Sequence, residues 1–135
     1  MKIGVVGNGM IVKRFLEDLK QVEGASAEAI CVRSQSREKG EQLAAAYEIG
    51  KVYTDYPECL RDGSLDAVYI GIINSEHYEY VKLALEAGKH VICEKPFTVE
   101  AWEARELAKL AREKGLFLWE AFKIAYSPVF QSVKE

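Results

Sequence analysis

The chain lacks the features that would mark a membrane, secreted or nucleic-acid-binding protein. None of its apolar runs approaches the ~20 residues of a membrane span. Near the start, Lys13 and Arg14 interrupt the apolar stretch too soon for a secretory signal. Cysteine is scarce: Cys31, Cys59 and Cys93 form an odd set with no CxxC spacing. That disfavours a disulfide framework and makes a reducing cytoplasm the expected location. Neither Cys93 nor the two histidines, His77 and His90, form a metal-ligand pattern, so no metal is expected. There is no basic excess either. The net charge is −3 and the pI near 5.5, which argues against a nucleic-acid partner. Repeats, low-complexity tracts and linkers are absent.

What is present fits one folded domain. At 135 residues, 49% hydrophobic and 29% charged, the chain can bury a core and is too apolar for disorder. Short apolar runs alternate with helical periods. Strands are read at residues 2–6, 28–32, 52–53, 67–73, 90–93 and 116–119. Helices are read at 10–21, 37–47, 57–60, 76–87 and 98–114, with Gly88 and Gly115 as stops and Thr98 as a cap. Residues 67–73 carry no polar alternation, as expected of a central strand covered on both faces. Ala101, Ala104, Leu107, Ala108 and Ala111 form the expected buried stripe of the last helix. This alternation predicts an α/β fold with a doubly wound parallel sheet. Ser127-Pro128 reads as the cap and first position of a further helix. Residues 1–120 are therefore expected to form one such domain, and 121–135 the start of a connection to a second one.

Three segments at strand ends could carry chemistry. Gly7-Asn8-Gly9-Met10-Ile11-Val12 follows the first strand and opens the first helix. It fits part of the GxGxxG pattern, whose first glycine makes the turn and whose second admits a pyrophosphate. Val12 stands at the third position, where a β-branched side chain should push the helix outward or demand smaller neighbours. The tip of strand two reads Val32-Arg33-Ser34-Gln35-Ser36-Arg37. It offers no carboxylate for a ribose diol, while Arg33, Ser34 and Arg37 could hold a 2′-phosphate, so NADP is favoured over NAD. The arginines also fit as plain solvated surface charges.

Ile72, at the end of strand four, and Asn74 could touch the cofactor, and Asn74 could equally cap the next helix. His77 lies in that helix's first turn, where a lone histidine is more often structural than catalytic. Glu94-Lys95-Pro96 closes strand five and projects to the same crevice. A lysine there can hydrogen-bond a substrate oxygen, and partial burial would tune it for proton transfer. Glu94 can orient that lysine or bind the cofactor ribose. Taken alone, an exposed Glu–Lys pair would be worth little; its company at the strand ends gives it weight.

The ordered features Gly7-Asn8-Gly9, Asp66-Ala67-Val68-Tyr69-Ile70, Asn74-Ser75-Glu76-His77 and Leu85-Glu86-Ala87-Gly88-Lys89-His90-Val91-Ile92-Cys93-Glu94-Lys95-Pro96 resemble the glucose–fructose oxidoreductase/inositol dehydrogenase (Gfo/Idh/MocA) family. The resemblance covers that family's N-terminal half. It implies an NAD(P)-dependent oxidoreductase acting on a sugar, polyol or related hydroxyl or carbonyl. It also implies that Lys95 contacts the reacting oxygen and that Glu94 and Asn74 line the nicotinamide-ribose end. The first turn, with Gly7, Asn8, Gly9, Met10 and Ile11, would hold the pyrophosphate. The reading of the residues themselves adds Ser34 and Arg37 at the 2′-phosphate and Ile72 and His77 as further cofactor contacts. An acid and a histidine from a C-terminal α/β domain usually complete the site. The whole protein is expected to be a homo-oligomer. Departures from the family pattern are Val12, Ile73 where proline is frequent, and Ala125 where arginine is frequent. They leave room for a non-enzymatic dinucleotide sensor as the alternative; a nucleotide methyl donor would give Glu94-Lys95-Pro96 no task.

Overall fold

A computed structural model describes residues 1–121 of the protein. Six strands form one sheet: β1 (Lys2–Val6), β2 (Ser26–Cys31), β3 (Lys51–Tyr53), β4 (Ala67–Ile70), β5 (His90–Glu94) and β6 (Leu118–Ala121). Their order is β3-β2-β1-β4-β5-β6 and every pairing is parallel. The crossovers carry α1 (Met10–Leu19), α2 (Arg37–Ala46), α3 (Tyr56–Leu60), α4 (His77–Glu86) and α5 (Ala101–Lys114). This is the doubly wound sheet expected from the alternation of apolar runs and helical periods.

Both faces of the sheet are covered because successive strand side chains point to opposite sides. Val68 and Ile70 of β4 pack with Cys59, Val81, Leu85 and Leu107 from α3, α4 and α5. Ala67 and Tyr69 pack on the other face with Val12, Leu16 and Leu43 from α1 and α2. All four β4 residues are fully buried, which explains the unbroken apolar run.

Some boundaries differ from the expected ones. β4 ends at Ile70, not residue 73, because its ladder partner β1 ends at Val6, opposite Ile70. Beyond it, Ile73 is 60% exposed. β6 is shifted later because its register on β5 pairs Val91 with Leu118 and Glu94 with Ala121. At the start of α5 the cap is Glu100 rather than Thr98: the Glu103 carboxylate accepts from the backbone N–H groups of Val99 and Glu100. Only Leu107 and Ala111 of its predicted stripe are buried; Ala101 is exposed. No helix among the described residues is long and apolar enough to cross a membrane. The expected helix start at Ser127-Pro128, the departure at Ala125 and nearly all of the 121–135 connection lie outside the described residues.

At the amino edge of the sheet, the Asp62 carboxylate accepts from Lys51 Nζ, Tyr53 Oη and the Ser64 hydroxyl and backbone N–H. The Lys51 ammonium, with the hydroxyls, holds this carboxyl well below its ordinary range. Lys89 Nζ donates to the Asp62 and Leu65 carbonyls. These contacts tie the loop before β4 to β3 and to the start of β5.

Candidate cofactor and active site

In a parallel sheet all carboxyl ends share one edge, and the register aligns Cys31, Val6, Ile70 and Cys93 across it. Gly7 N–H donates to the Cys31 carbonyl and Gly71 N–H to the Val6 carbonyl, both at 2.9 Å. The glycine turn, the β4 exit and Glu94 therefore lie along the same edge. Strand order reverses direction between β1 and β4, the switch point where such folds bind ligands.

The turn itself is built for an anion. Gly7 has φ +117°, and a Cβ on it would lie 2.3 Å from the Gly71 carbonyl oxygen. Gly9 faces open space, with nothing within 4 Å of where a Cβ would be. No side chain caps α1, and its first turn holds no acid. Its first N–H groups are thus left for an incoming negative charge, which the helix dipole also favours. The Met10 side chain is 85% exposed, and Ile11 packs partly against the core. What these two can offer an anion is backbone N–H.

Val12 is fully buried. A Cβ on Gly71 would meet Val12 Cγ2 at 2.9 Å and Tyr69 Cε1 at 3.0 Å. Of the two outcomes expected for a β-branched residue here, the smaller neighbour is the one found. The space that a third glycine gives within the turn is supplied by Gly71, just beyond the end of the adjacent strand β4.

Above the turn lies a crevice of about 460 Å³. Gly7, Asn8 and Gly9 form one wall, Arg33, Gln35 and Ser36 a second, and Ile72, Ile73 and Tyr80 a third. Tyr56 closes it from behind, stacked on Tyr80 at 4.3 Å and donating to the Tyr80 carbonyl. Cys31 also lines it. A hydrogen bond to Cys59, then burial, pushes the Cys31 thiol up, and burial raises Cys93 to about 12. Both thiols thus stay protonated at neutral pH, Cys31 as a wall atom of the crevice and Cys93 as a core residue.

The sequence-predicted residues divide into groups. Gly7, Asn8, Gly9 and Ile72 line the crevice. Ser34 and Arg37 are exposed and stand outside the lining, with Arg37 Nε 3.0 Å from Glu41. Asn74 is exposed, and no side-chain hydrogen bond caps the 3₁₀ turn Asn74–Glu76 or α4. Glu94 is only 8% exposed and accepts from Tyr69 Oη at 2.7 Å. The Tyr69 ring is in turn stacked on Phe15, 3.7 Å between centroids. Lys95, next along, is exposed.

His77 is fully buried and does not line the crevice. Its Nδ1 lies 2.9 Å from the Pro96 carbonyl and 3.2 Å from that of Phe97, and its Nε2 lies 3.0 Å from that of Ile72. The ring thereby ties the loop after β4 to the loop after Lys95. Replacing His77 by Ala is expected to destabilise the protein by about 2 kcal/mol, since it removes a fully buried ring and its contacts to the Ile72, Pro96 and Phe97 carbonyls. Urea denaturation at pH 7 measures this, and a loss under about 0.5 kcal/mol would mean the strut is dispensable.

Two contributors had no local signal in the sequence. Gly71 reads as one more small residue in an apolar run. Glu76 reaches across to Arg33, whose Nη2 lies 2.7 Å from both carboxylate oxygens. Such a pairing depends on β2 and β4 flanking β1, which no short window of sequence displays.

Comparison with known proteins agrees with this geometry. The pattern of an oxidoreductase family with an NAD-binding Rossmann fold (GFO_IDH_MocA) matches residues 1–122. The chain is 32% identical over 133 residues to trans-1,2-dihydrobenzene-1,2-diol dehydrogenase of Xenopus laevis, covering 98% of this chain and 40% of that protein. It is 37% identical over 146 residues to D-xylose 1-dehydrogenase (NADP(+)) of Hypocrea jecorina, covering 100% and 37%. Among solved structures, KijD10, a 3-ketoreductase from Actinomadura kijaniata in complex with NADP and TDP-benzene, superposes with a TM-score of 0.92 at 32% identity, covering 98% and 40%. The chain thus spans about two-fifths of the length of the relatives it matches.

Proposed function

Because this chain belongs to the Gfo/Idh/MocA oxidoreductase family and contains its NAD-binding Rossmann domain, we propose that it is the cofactor-binding part of an NAD(P)-dependent dehydrogenase or reductase. The substrate class is a sugar, polyol or related hydroxyl or carbonyl compound. One observation carries the reading: an uncapped helix N-terminus, a glycine turn with open space and the Glu94-Lys95 pair share one edge of the sheet. The nicotinamide, when bound, supplies the hydride chemistry, and the protein binds, orients and polarises.

In this reading Gly7, Asn8 and Gly9 and the N–H groups of Met10 and Ile11 hold the pyrophosphate. Arg33 lines the adenosine end, with Ser34 and Arg37 close by in sequence. Ile72 and Asn74 border the nicotinamide ribose, and His77 holds their loop. Glu94, fixed by Tyr69, sets the direction of the strand-five exit, and Lys95 moves a proton at the substrate oxygen. The named relatives are dehydrogenases and reductases, which disfavours the sensor alternative.

Titration of the full-length protein with NADPH and NADH by calorimetry tests the assignment. Both are expected to bind, NADPH the tighter by up to about tenfold, or 1.4 kcal/mol. Tighter NADH binding would reverse the reading of the strand-two tip, and binding of neither would remove the dinucleotide site.

A further inference from the structure

Resting on the dinucleotide reading above, we propose that Glu76 is a coenzyme-specificity residue: it engages Arg33, which lines the crevice, and holds the affinity for a 2′-phosphorylated dinucleotide down. Arg33 follows β2 and Glu76 precedes α4, so the pair spans the end of β1 from one flanking strand to the other. Two strand spacings separate those flanks, roughly 10 Å. Among the described residues Arg33 is the one cation in the crevice lining, beside Gln35 and Ser36; Glu76 stands just outside that lining and holds Arg33 through Nη2 at 2.7 Å to both carboxylate oxygens.

The strand-two tip lacks a carboxylate of its own, and the fold delivers one from 43 residues away. A 2′-phosphate, carrying close to two negative charges, would meet an arginine whose charge the neighbouring carboxylate already partly offsets, so the preference for NADPH is smaller than Arg33 alone would give. NAD carries no such group and is indifferent to the pair. The side chains are 53% and 34% exposed, so solvent screening limits the effect to a modest factor. Arg37 is paired as well, with Glu41 at 3.0 Å, but that i,i+4 contact lies on α2 and outside the lining.

The test compares wild type, Glu76→Gln and Glu41→Gln in the full-length protein, titrated with NADPH and NADH. Glu76→Gln should tighten NADPH about tenfold, the scale of one charge-assisted contact, while NADH changes less than about twofold. The same net charge change in Glu41→Gln should shift NADPH less than about twofold. Unchanged or weaker NADPH binding in Glu76→Gln overturns the proposal, since Glu76 would then be idle or a positioning partner of Arg33. A parallel gain for NADH, or an equal gain in Glu41→Gln, overturns it too, by reducing the effect to bulk charge. Wild type binding neither coenzyme is a different failure, that of the dinucleotide site itself.

Discussion

Lys95→Ala in the full-length protein should lower kcat at least ~100-fold while leaving the Kd for NADPH within about threefold. The first figure is the usual scale for losing a positioned proton donor or acceptor. The second follows from where the residue stands. Lys95 is exposed and comes one residue after Glu94, so it is beyond the glycine turn and outside the crevice lining. Among the described residues no ion pair or side-chain hydrogen bond depends on it, so truncation should cost little stability. A kinetic loss with intact binding and folding therefore reports on chemistry. Lys95→Arg sharpens the test, because a guanidinium keeps the charge but does not give up its proton. Turnover in Lys95→Arg should stay at least ~10-fold below wild type. Full activity in either variant would take Lys95 out of the proton-transfer role.

The fold was readable because its signals are local. β1, β4 and β5 are built around short apolar runs, and the helices that follow them repeat apolar residues at helical spacing. Such periods survive in any short window. The glycine turn and Glu94-Lys95-Pro96 were readable for the same reason, since each is contiguous and each follows a strand. Failures came where a property belongs to two strands at once. Val12 departs from the motif in sequence, while the Gly71 that compensates for it lies far along the chain, because helix-to-strand clearance is shared between segments distant in sequence. The sequence offers Arg33 as a phosphate ligand or a solvated charge, and its pairing with Glu76 shows only in the fold. His77 carried too little context to show that both ring nitrogens face carbonyls. The length of β4 was overestimated because an apolar run does not record where its ladder partner stops. Contacts of this kind are set by strand order, and order emerges only when the sheet closes.

Two single substitutions in the glycine turn should separate folding from binding. Gly7→Ala should cost about 3 kcal/mol or more in urea denaturation. A φ of +117° is strained for any L side chain, at about 1–3 kcal/mol. The new Cβ would also sit 2.3 Å from a backbone oxygen, that of Gly71, and 3.1 Å from Val12 Cγ2. A carbonyl cannot swing aside as a side chain can, and forced overpacking adds about 1–3 kcal/mol. Gly71 N–H is meanwhile tied to the Val6 carbonyl, so relief would have to break the strand exit. Gly9→Ala has the opposite character. Its φ of −82° suits any residue, and its Cβ would meet nothing within 4 Å. The fold should lose less than about 1 kcal/mol, the range of an ordinary surface change. Dinucleotide affinity should nevertheless fall at least about tenfold, because the added methyl occupies the space by which a pyrophosphate approaches the α1 N-terminus. If Gly9→Ala binds NADPH as wild type does, the pyrophosphate does not lie against this turn, and Gly9 is only a permissive loop residue. If Gly7→Ala is as stable as wild type, the contact between the turn and Gly71 does not constrain the fold.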